Sequence, residues 1–129
     1  MIETATLEYA VDLFSGMGGV SYRRMFGGAG LYSHGVMFGL IDDDRIYLKV
    51  DEPLKAALAG EGSQPWIYTE RNGPSAGAPQ ETSYWSLPEA ACDDPEEACD
   101  WGRRALAVAG AIKAARPVRR RREPDPGSP

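Results

Sequence analysis

Histidine and cysteine are scarce in this chain of 129 residues, which carries one histidine, His34, and two cysteines, Cys92 and Cys99. No CxxC pair occurs, the cysteines stand seven positions apart and His34 is remote from both, so the spacing of a zinc site is missing. The two thiols read as ordinary helix or helix-flank residues in a reducing compartment. Long apolar runs are missing as well, and nothing approaches the ~18 residues of a membrane span. The start, "MIETATLEYAVDLF", has acids and no basic region, so it does not read as a secretory signal. Positive charge is in deficit: 14 Lys and Arg against 19 Asp and Glu give a net charge of −5. That balance excludes a body that holds nucleic acid by charge alone. The expectation is a soluble, cytoplasmic protein with no metal, no cofactor and no membrane contact.

The length suits one domain, and 43% hydrophobic with 26% charged residues is enough for a moderate core without a staple. Residues 4–15 read as a helix, with Leu7, Ala10, Val11 and Phe14 on one face and Thr4 or Thr6 as its cap. Next come three apolar runs broken at Ser33-His34-Gly35 and Asp42-Asp43-Asp44, which predict an antiparallel meander with strands near 24–33, 36–41 and 45–50. In the third run Ile46, Leu48 and Val50 alternate with Tyr47 and Lys49, giving one core face and one wetter face. A short helix follows, capped by Asp51, with Pro53 in its first turn and Gly60 at its end. Strands at 64–70 and 82–87 flank a surface loop at 71–80. A helix from Pro95 to Arg116 presents Ala98, Trp101, Ala105, Val108 and Ile112 as its stripe. The order helix–three strands–helix–two strands–helix predicts a two-layer α+β domain over residues 1–116, with helices on an antiparallel sheet. Residues 117–129 read as a basic, Pro-rich, disordered tail.

The run Asp12–Gly19, "DLFSGMGG", spells the cofactor loop of a cytosine-5 DNA methyltransferase. Such a loop follows a strand and precedes a helix. Here the glycines follow a helical pattern and precede strands. Neither cysteine follows a proline, so the thiolate nucleophile of that chemistry has no place. The run reads instead as a helix stop, with Gly16 as the left-handed residue after the last turn.

The next segment, "RRMFGGAGLYSHGVMFGLIDDDRIYLKVDE", resembles the N-terminal domain of the TfoX/Sxy family, bacterial proteins linked to natural competence and transcriptional control. The resemblance rests on Arg24, Met25, Phe26, Gly27, Gly28, Gly30, Tyr32, Gly35, Met37, Phe38 and Tyr47 to Val50, and extends to "SYWSLPEA" and the helix with Trp101 and Ala105. Ile46 departs from the family's pattern. The resemblance implies a helix-and-antiparallel-sheet fold and a stand-alone domain, since the family's competence regulator has a second, helical domain where this chain has its tail.

Met25, Phe26, Met37 and Phe38 read as sheet-face core, and the glycines as a bulge or close backbone approach. Arg23, Arg24 and Lys49 read either as a solvated face or, with Gly27 and Gly28, as a patch for an anion or a partner. His34 reads as a turn residue, Asp42–Asp44 as a hairpin turn rather than a cation loop, and Trp66, Trp85 and Trp101 as core or interface. Eight of the 14 basic residues fall in the last 27 positions. Among them Arg119, Arg120, Arg121 and Arg122 form either a solubilising tail or an arm making weak contact with nucleic acid. The function expected is non-enzymatic, a regulatory or interaction domain acting through a protein partner. The alternatives are an S-adenosylmethionine-dependent methyltransferase-like enzyme, which the motif context disfavours, and a homo-oligomeric scaffold built on a sheet edge.

Overall fold

The computed structural model describes residues 3–25, 28–69, 77 and 79–115. Helix α1 spans Thr4–Leu13 and is followed by a 3-10 turn, Ser15–Met17. The expected threonine cap does not form: Glu3 occupies the cap position, and the Thr6 hydroxyl instead reaches the Asp44 carboxylate at 3.4 Å. Four strands follow, β1 (Val20–Met25), β2 (Gly28–Ser33), β3 (Val36–Asp42) and β4 (Arg45–Lys49). Helix α2 (Glu52–Gly60), β5 (Pro65–Thr69), β6 (Pro79–Ser86) and α3 (Pro95–Ala115) complete the order. The six strands form one antiparallel sheet in the order β1-β2-β3-β4-β6-β5. The α+β class with an antiparallel sheet is therefore as the sequence implied.

The sheet has one strand more than the sequence reading. The run read as a single strand at 24–33 holds β2 and only the last two residues of β1, which begins at Val20 and pairs with β2 from Val20↔Ser33 to Met25↔Gly28. β1 is an edge strand with no fully buried residue, so it leaves no hydrophobic alternation to read. Phe26 and Gly27, between the two strands, lie outside the described residues, as does most of the expected loop at 71–80. Pro79 and Gln80, assigned to that loop, belong to β6. Arg116 and the tail at 117–129 also lie outside the described residues.

Turn chemistry sets the two central hairpins. His34 and Gly35 have φ of 50° and 81°, and Asp43 and Asp44 have φ of 52° and 61°. Two consecutive positive φ values make the two-residue turn whose twist matches a hairpin, and Asp is among the few residues that tolerate it. The glycine run near the start works differently from expectation. Gly16 lies inside the 3-10 turn, and the positive φ values fall later, at Gly18 (84°) and Gly19 (60°). Those two residues turn the chain into β1, where the buried Ser33 hydroxyl donates to the Gly18 carbonyl at 2.8 Å and the His34 amide to that of Gly19 at 3.0 Å.

All three helices pack on one side of the sheet. The core joins Leu7, Ala10 and Phe14 of the α1 region, Leu54 and Leu58 of α2, and Ala98 and Ala105 of α3 to Leu31, Phe38, Ile41, Leu48 and Val50. Phe14 and Phe38 meet edge to face at 5.3 Å. A register shift between Leu31 and Tyr32 lets Phe38 turn to the core side beside Gly39. The buried stripe of α3 is Ala98, Cys99, Gly102, Ala105 and Ala109; of the expected stripe Ala98 and Ala105 are in the core and Trp101 and Val108 pack half-buried against it. Ile112 is 43% exposed, and Trp101 sits on the flank with Arg104 over its ring at 5.0 Å. Small residues face the core because α1 already fills that space: a Cβ on Gly102 would lie 2.6 Å from Met17 Sδ and 3.0 Å from the Phe14 ring.

Helix α2 starts as its sequence dictates. The Asp51 carboxylate accepts from the Leu54 amide at 3.0 Å, with Pro53 in the first turn. Among the described residues no helix is long and apolar enough to cross a membrane.

Candidate binding face

Alternation along each strand sends every second side chain away from the helices. In β4, Ile46 and Leu48 are buried beneath the helices, while Tyr47 and Lys49 point to the other side; Arg45, at the strand's start, reaches Tyr47 and also lines a hollow with Tyr9, Glu89 and Cys92. The register carries this assignment across the sheet. Lys49 pairs with Tyr84 of β6, Tyr47 with Leu40 of β3, and Arg23 of β1 with Gly30 of β2. A Cβ on Gly30 would lie within 3.2 Å of the Met25, Tyr32 and Met37 side chains, so these belong to the same side. Met25 and Met37 are half-buried there rather than in the core where the sequence reading put them.

Rings dominate this open face. Trp66 of β5 is a hub, with ring centroids 6.3 Å from Tyr47, 5.8 Å from Tyr68 and 6.3 Å from Tyr84. Its indole N–H donates to the Asp42 carboxylate at 3.0 Å, which fixes the ring plane. The Lys49 ammonium lies 4.9 Å from the Tyr84 centroid and donates to the Ser83 hydroxyl at 2.7 Å. The Arg23 guanidinium lies 6.0 Å from the Tyr32 centroid. Burial, and after it the neighbouring Tyr32, pushes the Tyr84 phenol above its ordinary value. Burial also raises Tyr47, against the pull of Arg45. Both phenols thus stay neutral through the physiological range. A hollow of about 310 Å³ opens among Tyr32, Met37, Lys49, Tyr84, Ile112 and Lys113.

The residues singled out from sequence do not all meet. Arg23 and Lys49 share the open face, three strands apart in the sheet order, about 14 Å at the usual strand spacing. Arg24 points the opposite way and donates to the Thr4 hydroxyl of α1 at 3.0 Å. Gly28 is buried, and a Cβ there would lie 2.2 Å from the Ile41 carbonyl oxygen, so its role is close approach of β2 to β3. Gly27 and Arg119 to Arg122 lie outside the described residues. Sequence reasoning missed the band of Tyr32, Tyr47, Trp66, Tyr68 and Tyr84. The i, i+2 spacing of Trp66 with Tyr68 and of Tyr47 with Lys49 was its one local signal.

The remaining chemistry is sparse. Burial first, and then Glu89 and Asp93, push the Cys92 thiol above its ordinary value, which disfavours the thiolate. The Cys92 carbonyl accepts from the Tyr9 hydroxyl, and Cys99 is buried in α3 with its sulfur 3.6 Å from the Leu13 carbonyl oxygen. Asp42, Asp43 and Asp44 form the β3–β4 turn. Among the described residues no three His, Cys, Asp or Glu side chains gather as metal ligands would.

Fold and face together define a two-layer α+β domain, with helices on one side of an antiparallel sheet and an aromatic, cation-bearing surface on the other. The chain belongs to the TfoX N-terminal domain family, whose model matches residues 12–109. No curated protein matches the chain.

Proposed function

We propose that this chain is a non-enzymatic regulatory domain that acts by binding, in transcriptional or competence-related control of the kind the family resemblance implies. The observation that carries this reading is the asymmetry of the sheet. One face is filled by three helices, while the other presents half-buried rings with Arg23, Arg45 and Lys49 beside them. A surface of large rigid rings and cations, rather than a cleft with an activated nucleophile and its base, is the chemistry of recognition. The raised Cys92 thiol supports this over the methyltransferase alternative, whose chemistry needs a thiolate.

The test is genetic and biochemical. Deleting the gene from its host should change transcript levels. The wild-type chain should restore them, and the Arg23→Glu/Lys49→Glu chain should not, although it melts at the wild-type temperature. Full restoration by the charge-reversed chain would remove the face from the function. Heat released on titration with S-adenosylmethionine would move the chain to the enzyme reading.

A further inference from the structure

The open face has a composition that selects among classes of partner. Its rings lie in a band crossing the sheet: Tyr32 on β2, Tyr47 on β4, Tyr84 on β6, and Trp66 with Tyr68 on β5. Its cations run beside the rings: Arg23 over Tyr32, Lys49 over Tyr84, and Arg45 next to Tyr47 on β4. Lys113 of α3 joins them at the hollow. Acids stand at one end of this side: Asp42, whose carboxylate accepts from the Trp66 indole, and Asp43, close enough to act on Tyr47. In a chain of net charge −5, the four cations Arg23, Arg45, Lys49 and Lys113 still outnumber Asp42 and Asp43 beside these rings. Four interstrand spacings of ~4.8 Å, from β2 to β5, make the band about 19 Å across, room for several nucleotides in a row.

We propose that the open face binds single-stranded nucleic acid, with bases stacked on Tyr84, Trp66 and Tyr68, and phosphates held by Lys49, Arg23, Arg45 and Lys113. The proposal rests on the binding role argued above and names the partner's class. Three features favour this occupant over the protein partner expected from sequence. Ring faces on a flat sheet accept bases of any sequence, because every base has a π-face. Tyr84 and Tyr47, neutral as ordinary phenols are and raised further by burial, put no phenolate opposite a phosphate. The hollow of about 310 Å³ is lined by two lysines, Lys49 and Lys113, and two rings, Tyr32 and Tyr84, with the Lys49 ammonium 4.9 Å from the Tyr84 ring, the residue types a single nucleotide needs. A duplex keeps its bases stacked inside and offers only phosphates, so the rings would gain nothing from it. The tail run Arg119 to Arg122 begins six residues after Lys113 and can add electrostatic attraction without base contact.

The experiment is fluorescence anisotropy of the full chain with end-labelled 12-residue oligo-dT, oligo-U and a duplex of the same length, at low and rising salt. The expected result is tighter binding of the single strands than of the duplex, weakening steeply with salt. Titration should quench tryptophan emission, and the Trp66→Phe chain should bind while losing most of that quench. Lys49→Glu with Arg23→Glu should weaken binding at least tenfold. Tyr68→Ala, at an edge position 45% exposed, should weaken it several-fold with an unchanged melting temperature. The oligo-dT and oligo-U arms separate DNA from RNA as the natural strand. Absence of binding at low salt overturns the proposal. So does binding that ignores the face variants and vanishes when Arg119 to Arg122 are changed to Ser, or a duplex bound more tightly than the single strands. If the face variants instead abolish a purified protein complex or a self-association, and no oligonucleotide binds, the occupant is a protein. The regulatory reading then stands without this one.

Discussion

Leu48 and Lys49 are consecutive in β4 and lie on opposite sides of one sheet. Leu48 is fully buried among side chains from the helices, and its contribution is cohesion. Lys49 is half-buried, donates to Ser83 and lies over the Tyr84 ring, on the side of the sheet away from the core. The same contrast holds for Leu31 beside Tyr32 and for Phe38 beside Met37. Burying an aliphatic or aromatic core side chain is worth about 1.5–3 kcal/mol, while an exposed cation–ring contact is worth about 0.5–1 kcal/mol. Stability therefore resides on the helix side, and the open side is free to be selected for what it touches.

Substitutions on the two sides should separate accordingly. The largest loss is expected from Phe14→Ala, which removes the ring that meets Phe38 and should cost about 3–5 kcal/mol in urea unfolding. Gly28→Ala should cost about 1–3 kcal/mol in the same assay, because the new methyl meets the Ile41 carbonyl and the β2–β3 pairing must shift. Asp51→Ala should cost about 1 kcal/mol by exposing the Leu54 amide at the start of α2.

A smaller drift is expected with alkaline pH. Cys92, Tyr9, Tyr47 and Tyr84 all have folded values raised above the ordinary 9.0 for the thiol and 10.0 for the phenols, chiefly by burial. Above those ordinary values the unfolded chain has lost protons that the folded chain keeps. The stability held below pH 9 should therefore fall as pH rises through 9 to 10 and beyond. Melting curves from pH 7 to 11 check this, and a midpoint that stays level would remove the burial of these groups from the account. The smallest effect belongs to the open side: Arg23→Ala should stay within about 0.5 kcal/mol of wild type. A loss there as large as that of Phe14→Ala would erase the contrast between the faces.

Much of the fold was legible because its signals are local. The Ser33-His34-Gly35 and Asp42–Asp44 turns, the Asp51 cap and the apolar face of α1 each follow from residues a few positions apart. β1 was not legible because an edge strand exposed along most of its length has no apolar rhythm. Along α3, Ala98 and Ala105 face the core as the periodicity implies, but the large apolar residues Trp101 and Val108 flank it and Ile112 is exposed. Close packing against Phe14 and Met17 instead required small ones. Of the proposed patch, Arg23 and Lys49 were placed on the wetter side, whereas Arg24, one residue on, was sent to α1 by the alternation itself.

The sequence by itself determined the class of the domain, its hairpins and the existence of two kinds of strand face, since periodicity and turn chemistry act over a few residues. It also carried the pattern by which the family is recognised, residues 12–109. Which rings meet was decided by tertiary structure alone. β6 inserts between β4 and β5, so Trp66 comes within 6.3 Å of Tyr47 and Tyr84, which stand 19 and 18 positions away in the chain. Strand order is a long-range outcome of burying one face under three helices, and no short window of residues encodes it.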